Sequence, residues 1–325
     1  MAEPIQLLTP REETAQRIAE SLRRQLGEFY HFLEDDQVVE ISCNPDGRVF
    51  VDRLGEPLQC VGVMRHAAIE RFISDIAATV RRVINYDHPS LHCRLPIGGH
   101  RFQAVCPPTS TDWLFSIRRH ASAVYLLEDY VQKGIMTDLQ FGAINLALTM
   151  EEIIFITGGT GSGKTTLLNS CIAHPALESS RIIIGEDTPE IIWRPQMNVV
   201  AMCTNDTTTM RDIVVQAMRL APDRLIIGET REGASLLEVL KACNTGHRGG
   251  MTTLHANSSR HGLSKIEMLI REVSQDPLRE LIAETVQVMI HIEKIVPPRP
   301  PFRRVTTVSA LRGYRRGDYE LVPLA

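Results

Sequence analysis

The sequence lacks the features of a secreted or membrane-spanning protein. Its seven cysteines are odd in number and include no C-x-x-C pair, which disfavours both a disulfide framework and a zinc site and predicts free thiols in a reducing cytosol. The first residues show no basic region followed by an apolar run, so we expect no export signal. No apolar run approaches the ~20 residues that cross a bilayer, so any membrane role would be peripheral.

The sequence also lacks an excess of positive charge. Lys and Arg together number 35 against 39 Asp and Glu, a net charge of −4, so the whole chain does not resemble a basic nucleic-acid coat. A length of 325 residues predicts about two domains. A hydrophobic fraction of 43% with 23% charged residues is sufficient for packed globular cores.

The first part of the chain predicts a separate α+β domain. Thr9 to Glu12 fits a capping box with Pro10 at the first helical position. A second amphipathic helix is indicated by apolar residues spaced from Ile69 to Val83. Alternating apolar residues and turn signals predict strands at 38–42, 48–52, 91–95, 101–105 and 113–117. The polar segment 128–140 is interpreted as a linker, which gives domains at 1–127 and 141–325.

Four arginines of this domain lie on or next to predicted strand ends: Arg94, Arg101, Arg118 and Arg119. The guanidinium group suits phosphate recognition. An arginine that is merely solvated is the usual case. The residues alone leave both interpretations open.

The segment 158–165 is the most informative motif of the chain because it fits the phosphate-binding pattern G-x-x-x-x-G-K-[ST]. An apolar, β-branched strand at 153–157 precedes it and a helical pattern follows, which is the strand–loop–helix context that the chemistry needs. We predict that Lys164 reaches the phosphates of a nucleotide and that Thr165 holds Mg²⁺. The predicted nucleotide-binding residues are Gly158, Gly159, Thr160, Gly161, Ser162, Gly163, Lys164, Thr165 and Thr166.

Strands and helices alternate after this loop. The predicted strands are 181–185, 198–203, 224–228 and 251–255, and the predicted helices are 210–220 and 233–243. Such alternation predicts an α/β fold with a mostly parallel sheet covered on both faces. Ligands of such sheets bind beyond the carboxyl ends of the strands, so the polar residues after each strand are the candidates for catalysis.

Three sets of polar residues follow these strands. Glu186 to Glu190 holds three carboxylates that could orient an attacking water or only form an acidic turn. Glu229 ends an apolar run in the manner of a Walker B strand, except that Gly228 stands at the usual Asp position. His255 is either structural or a sensor of the γ-phosphate.

These motifs together resemble the secretion traffic ATPases, the family of type II and type IV secretion and pilus motors. The Walker A loop, the Asp box at 186–190, the Gly-Glu Walker B at 227–231 and the His box at 245–257 follow in that family's order. The first part of the chain adds Gly98 to Arg101 and Phe115 to Arg118. The resemblance is strongest to the conjugative-transfer ATPases of type IV secretion, because a four-cysteine zinc insertion is missing and Thr188 precedes Pro189.

The resemblance implies a RecA-like P-loop NTPase domain preceded by a smaller α+β domain. It implies Mg-dependent ATP hydrolysis with ATP and Mg²⁺ as cofactors. Glu186 would activate water, with Glu190 as a second candidate, and Glu229 would support Mg²⁺. His255 would read the γ-phosphate, with His247 as a weaker candidate. Arg101 and Arg118 occupy the positions of phosphate-contacting arginines, and Lys164 completes the predicted catalytic set.

The resemblance also implies partners and a location. It implies a homo-hexameric ring at the cytoplasmic face of the inner membrane, in contact with type IV secretion inner-membrane components and a coupling protein. The basic C-terminal residues from Lys294 to Arg316 fit either peripheral contact with that membrane or a solvated terminal hairpin.

Other classes of P-loop protein remain as alternatives. A nucleic-acid-stimulated motor ATPase is disfavoured by the His box and the acidic net charge, which also disfavour direct nucleic-acid binding. A small-molecule kinase would need a lid and an acceptor pocket, of which the sequence shows no sign. A scaffold that only binds nucleotide would not need Glu186, Glu229 and His255 together.

Overall fold

The computed structural model describes residues 10–53, 56–95, 98–119, 124–205, 207–296 and 302–325. The chain separates into two compact units, 1–122 and 123–325. Within the described residues, none of the helices combines the length and the apolar character that a membrane crossing requires.

The first unit is built on one six-stranded sheet. Its strands lie in the order β3-β2-β1-β6-β5-β4, and every pairing is antiparallel. The elements are α1 (Pro10–Leu26), a 3₁₀ turn (Gly27–Phe29), α2 (His31–Glu34), β1 (Val38–Cys43), β2 (Arg48–Arg53), β3 (Gln59–Val63), α3 (His66–Thr79), β4 (Ser90–Arg94), β5 (Arg101–Val105) and β6 (Leu114–Arg118).

The core of the first unit lies between the sheet and its helices. Phe72 of α3 meets Phe102 of β5 and Phe115 of β6, with ring centroids 5.8 and 5.0 Å away. These three rings are fully buried, and burial of large aromatic surface is the main stabilising contribution of such a cluster. The apolar face of α3 therefore fixes the helix on strands β5 and β6.

Two expectations for the first unit need correction. The second helix ends at Thr79 rather than near Val83, because the chain turns through Arg81 at a φ of 57° and leaves Val83 exposed. Strand β3 was not expected from the sequence. Its residues are exposed or half-buried, so this edge strand lacks the apolar alternation that identifies a half-buried strand.

The second unit is built on an eight-stranded sheet in the order β14-β13-β12-β7-β11-β10-β8-β9. Strands β12, β7, β11, β10, β8 and β9 are neighbours in this order and all run parallel. Strand β13 pairs antiparallel with β12, and β14 pairs antiparallel with β13. The strands are β7 (Ile154–Gly158), β8 (Ile182–Glu186), β9 (Val199–Cys203), β10 (Arg224–Ile227), β11 (Met251–His255), β12 (Val288–Ile295), β13 (Phe302–Arg315) and β14 (Asp318–Pro323).

Helices cover both faces of this sheet, as the alternation predicts. They are α4 (Leu127–Gln132), α5 (Asp138–Thr149), α6 (Lys164–Ile172), α7 (Met210–Met218), α8 (Gly233–Asn244), α9 (Ser259–Ile270) and α10 (Arg279–Thr285), with a 3₁₀ turn at Pro175–Leu177. One apolar core includes residues of α5 and α6, and a second includes residues of α7 to α10. Strands buried on both faces explain the continuous apolar runs in the sequence.

The segment 128–140, interpreted from the sequence as a linker, holds most of α4 and the start of α5. Leu127, Tyr130 and Met136 are buried in the first of the two cores. Thr137 caps α5 by accepting a hydrogen bond from the Gln140 amide. The assignment of 128–140 as the linker between the two domains stays a prediction.

Candidate functional site

The phosphate loop joins the end of β7 to the start of α6. Gly163 is the N-cap of α6 at a φ of 98°, a conformation that an L side chain rarely adopts. Lys164, Thr165 and Thr166 form the first turn of the helix, where unpaired backbone N–H groups and the helix dipole favour an anion. The loop predicted to bind phosphates therefore stands in the expected strand–loop–helix context.

Lys164 connects the loop to the end of strand β11. Its Nζ donates to the carbonyl oxygen of Gly159 at 3.0 Å and lies 3.2 Å from Nδ1 of His255. The side chain is buried to all but 8%. Strands β7 and β11 are parallel neighbours, with Gly158 opposite His255, so the pairing register itself brings the His box to the phosphate loop.

Glu229 follows β10 and has two basic residues as partners. Its Oε2 accepts from Arg231 at 2.6 Å, and Nε2 of His255 lies 2.9 Å from its Oε1. That second contact is close enough for an ion pair but is not aligned as a hydrogen bond, since Oε1 is buried with no hydrogen-bond partner among the described residues. Arg231 also approaches Asp187 at 3.8 Å, which connects the Walker B segment to the Asp box.

The protonation of these groups follows from their neighbours. Burial lowers the pKa of His255, the charge of Lys164 lowers it further, and Glu229 opposes both. A neutral imidazole accepts from Lys164 at Nδ1 and keeps its proton on Nε2, facing Glu229. The hydrogen bond to Glu229 raises the pKa of Arg231, so that guanidinium remains charged beside the carboxylate.

Glu186 is the last residue of β8 and is almost fully buried, at 3% exposure. Its Oε1 accepts from the backbone amides of Glu190 at 2.7 Å and Ile191 at 2.9 Å. Two donors on one oxygen fix the orientation of the carboxylate and of the following segment. No helix begins in this segment, so Glu186 does not act as a helix cap there.

The departure from the usual Walker B pattern has a steric cause. A Cβ on Gly228 would lie 3.1 Å from Cγ and 3.3 Å from Oε1 of Glu186. An aspartate at this position would place a second carboxylate against the buried one, which is unfavourable without a compensating charge. Gly228 therefore makes room for Glu186.

The residues of the loop fit a nucleotide phosphate and a magnesium ion. Nothing lies within 4 Å of the Cβ position of Gly159 or Gly161, and the buried Oγ of Ser162 has no hydrogen-bond partner among the described residues. Within that same part of the chain, no three His, Cys, Asp or Glu side chains group around a possible metal position. Mg²⁺ is usually held by one or two protein oxygens together with phosphates and water, a donor set that the Thr165 hydroxyl and the Glu229 carboxylate supply.

The first unit places Arg101 and Arg118 directly opposite each other. Arg118 of β6 pairs with Arg101 of β5 on one side and Glu40 of β1 on the other, and Arg101 pairs with Arg94 of β4. The three arginines therefore form a row across one face of the sheet. Arg118 is exposed and Arg101 half-buried.

Arg119 differs from those three arginines. Its side chain is only 6% exposed, approaches Asp36 at 3.3 Å, and donates to the carbonyl oxygens of Asp35 and Val38. These contacts fix the loop between α2 and β1. Arg119 is therefore a structural residue, neither a solvated arginine nor one that is available to a phosphate.

Several residues of the site were not predicted from the sequence. Arg231 and Asp187 stand inside the motifs, but only the structure shows that they contact each other. A cleft of about 460 Å³ opens beside the loop, and Asn257, His261 and Lys265 line it together with Gly159, Thr160 and His255. The spacing of His261 and Lys265 on α9, four residues apart, was the available signal. His247 stands apart from these contacts, with Nδ1 3.1 Å from the carbonyl oxygen of Ala242.

Comparison with known proteins agrees with the motifs. The family model "Type II/IV secretion system protein" matches residues 35–299. The conjugal transfer protein TrbB of Rhizobium radiobacter is 42% identical over 94% of this chain and 93% of its own length. The type IV secretion system protein VirB11 of Bartonella henselae is 26% identical over 81% of this chain and 86% of its own length.

Solved structures show the same fold. The ATPase DotB of Legionella pneumophila superposes with a TM-score of 0.59 at 20% identity, covering 96% of this chain and 82% of its own. The pilus retraction motor PilT, solved with ADP, gives a TM-score of 0.61 at 18% identity, covering 92% and 83%. The expectation of a RecA-like P-loop domain preceded by a smaller α+β domain is confirmed. The chain thus belongs to the type II/IV secretion system protein family, the secretion traffic ATPases that its four motifs predict.

Proposed function

We propose that this protein hydrolyses ATP with Mg²⁺ at the phosphate loop of its second unit and that turnover powers conjugative transfer through a type IV secretion system. The observation that carries the proposal is the chain of contacts from Lys164 through His255 and Glu229 to Arg231. The ends of strands β7, β10 and β11 thereby bring a phosphate-binding lysine, a histidine and a carboxylate together at one end of the sheet. A structural role alone would not require these groups beside an anion-binding loop.

Each side chain has a distinct part in this proposal. Lys164 exchanges its contact with the Gly159 carbonyl for the β- and γ-phosphate oxygens. The Thr165 hydroxyl and the Glu229 carboxylate would hold the Mg²⁺ that accompanies the nucleotide. Bound Mg²⁺ supplies positive charge that offsets the charge on these oxygens during phosphoryl transfer. His255, neutral and connected to both Lys164 and Glu229, responds to the presence of the γ-phosphate.

Glu186 is the proposed water-activating carboxylate. The two amides on its Oε1 hold it in one orientation, and the absence of a side chain at Gly228 leaves it against the strand that carries Glu229. A carboxylate held in this way costs little reorganisation during the reaction. Glu190 is the second candidate, because it lies on the same segment and its charge acts on Arg231.

Arg101 and Arg118 complete the proposed catalytic set from the first unit. Their opposed positions on β5 and β6 present two guanidinium groups together, a suitable arrangement for the oxygens of a γ-phosphate. Closure of the first unit over the nucleotide would deliver them, and hydrolysis would release them. We infer a homo-hexameric ring of such subunits from the family.

The proposed place of this ring is the cytoplasmic side of the inner membrane, where it would contact inner-membrane components of the secretion system and a coupling protein. Relatives named as conjugal transfer and type IV secretion proteins support this. The basic residues of β13 lie beside acids of β14: Arg315 is opposite Asp318 in the strand pairing and 4.0 Å from Glu320. This arrangement favours a solvated hairpin over a strongly basic lipid-binding surface.

The variant Lys164→Ala tests the enzymatic part of the proposal. Loss of the lysine contact to the transferring phosphoryl group should reduce the ATPase rate about 10²-fold or more. Lys241→Ala is the matched control, because Lys241 is exposed on α8 and pairs with Glu238 at 3.5 Å. Full activity of Lys164→Ala would show that hydrolysis takes place elsewhere.

The ring and the transfer role need separate measurements. Specific ATPase activity should rise with protein concentration as a ring-sized species forms, measured by light scattering with Mg-ATP. Wild-type protein, but not Lys164→Ala, should restore DNA transfer to donor cells that lack this gene. A monomer of constant low activity that DNA stimulates would instead support the nucleic-acid-dependent motor.

A further inference from the structure

The cleft beside the phosphate loop includes two residues that have no role in the proposed chemistry, His261 and Lys265. It is lined by Gly159 and Thr160 of the loop, by His255 and Asn257, and by His261 and Lys265 of α9. The cleft therefore adjoins residues that are proposed to contact the phosphates of a bound nucleotide.

The lining of the cleft favours an anion. Lys265 is half-buried, and it forms no hydrogen bond or ion pair within the described part of the chain. The residues that line the cleft include no carboxylate. Glu229, which contacts His255 of the lining, is also paired with Arg231.

The position of Lys265 is fixed by the packing of its helix. Lys265 follows His261 by four residues on α9, so both side chains lie on one helical face. Between them, Gly262 brings α9 directly onto the sheet. A Cβ there would lie 2.7 Å from Met289 Cε of β12 and 2.8 Å from Thr157 Cγ2 of β7. Because β7 leads into the phosphate loop, this packing holds α9, and with it Lys265, in a fixed position relative to the loop.

We propose that this cleft is the binding site for inorganic phosphate after it leaves the nucleotide, with Lys265 as its main cationic contact and His261 and Asn257 as hydrogen-bond donors. The inference rests on the proposed function for its biological meaning. The site takes a small tetrahedral oxyanion beside bound ADP. Lys265 thereby slows release of the product and sets how strongly free phosphate inhibits turnover.

The first test measures binding of inorganic phosphate to the full-length protein saturated with Mg-ADP, by calorimetry. ADP occupies the loop, so phosphate in solution reports on the adjoining cleft. Lys265→Met keeps the length of the side chain but removes the charge, and it should weaken phosphate binding about 10- to 100-fold, the value of a charge-assisted hydrogen bond. Lys265→Arg should restore most of the affinity, and Lys241→Met should leave it unchanged.

Two results would overturn the inference. Unchanged phosphate affinity in Lys265→Met would remove the lysine from the site. An equal loss of Mg-ADP affinity would show that Lys265 serves the nucleotide instead. If Lys265→Met does not fold, His261→Gln on the exposed part of the same helix replaces it, with a smaller expected loss of phosphate affinity, and unchanged affinity there would again reject the site.

A second test distinguishes phosphate made by the protein from phosphate taken up from solution. A fluorescent phosphate sensor follows product release after a single turnover, and Lys265→Met should release phosphate faster than wild type. Faster release together with weaker inhibition by added phosphate supports one shared site. Weaker inhibition by added phosphate with an unchanged rate of phosphate release would show that the cleft binds only phosphate from solution. That result would reject a role of the cleft in product release.

The test also keeps this inference separate from the proposed function. If wild-type protein binds Mg-ADP and phosphate in a Lys265-dependent way but hydrolyses no ATP, the proposed function fails and the oxyanion site stands. If hydrolysis depends on Lys164 but substitution of Lys265 does not change the affinity for phosphate, the cleft assignment fails and the proposed function stands.

Discussion

The second unit holds its candidate catalytic groups in mutual contact, whereas the first unit presents its candidate groups on the face of a sheet. Lys164, His255 and the segment with Glu229 and Arg231 come from separate parts of the chain and form a continuous series of contacts at the ends of parallel strands. Arg101 and Arg118 come from neighbouring antiparallel strands and are half-buried or exposed. A site with interlocked contacts tolerates little change in shape, and a row of surface side chains can be altered without disturbing the fold.

Among the effects that distinguish the two units, the largest should be the loss of kcat in Arg118→Ala. An arginine that stabilises a transferring phosphoryl group accounts for ~10³-fold in rate in known NTPases, and we expect a fall of that size in kcat. The free energy of unfolding and the affinity for Mg-ADP should hardly change, because Arg118 is exposed. Steady-state kinetics and thermal unfolding measure the two quantities.

The matched control is Arg48→Ala in the same sheet. Arg48 lies on β2 and pairs with Asp46 at 2.7 Å on the surface, so its loss should alter neither rate nor stability appreciably. Equal effects of the two variants on kcat would reject a specific role for Arg118.

Gly228→Ala should show that the packed site of the second unit does not tolerate an added methyl group. The new Cβ would lie 3.1 Å from Cγ of the buried Glu186, and overpacking of this kind costs about 1–3 kcal/mol of stability. Displacement of Glu186 should lower kcat at the same time. Denaturant unfolding and ATPase assays provide the measurements.

Gly142→Ala serves as the comparison for that variant. Gly142 is exposed inside α5 with nothing within 4 Å of its Cβ position, so alanine should stabilise the helix by about 0.5–1 kcal/mol. If Gly228→Ala were equally stabilising, the steric explanation for the unusual Walker B sequence would be wrong.

The smallest effect concerns the pH dependence of His255. Burial and the charge of Lys164 lower its pKa from the ordinary value of 6.5, so a nuclear magnetic resonance titration should give a midpoint below that value. Lys164→Ala should move the midpoint upward. The folded state then binds fewer protons than the unfolded state, so His255 contributes stability above pH 6.5 that is lost as the pH falls towards its folded pKa. A midpoint above 6.5 in the wild type would contradict the environment described.

Strands β7 to β11 and the motifs of the second unit were predictable because they depend on local order, whereas β12, β13 and β14 were not predicted. Buried parallel strands show as apolar runs, and a phosphate loop needs its glycines and lysine in a fixed sequence. The contact of Arg231 with Asp187 was not predictable, because it joins two strands that are separated in the chain. The role of Gly228 was hidden for the same reason, since the atom that excludes a side chain belongs to Glu186.

In the first unit, the sequence indicated which arginines lie near strand ends but not which of them differ in environment. Arg118 and Arg119 are adjacent in sequence, yet one is exposed in the arginine row and the other is buried against the backbone of residues 35 and 38. Arg118 is the last residue of β6 and Arg119 follows it, so the pairing register determines the environment of Arg118 and the loop before β1 determines that of Arg119.

The sequence by itself determined the α/β class, the phosphate loop and the order of the four motifs, because glycine, β-branched runs and a lysine at fixed spacing act through local conformation. The tertiary structure alone decided how Lys164, His255, Glu229 and Arg231 meet, why Gly228 has no side chain, and that Lys265 faces the loop across a cleft. These features depend on strand order and helix packing, which bring together atoms from distant parts of the chain.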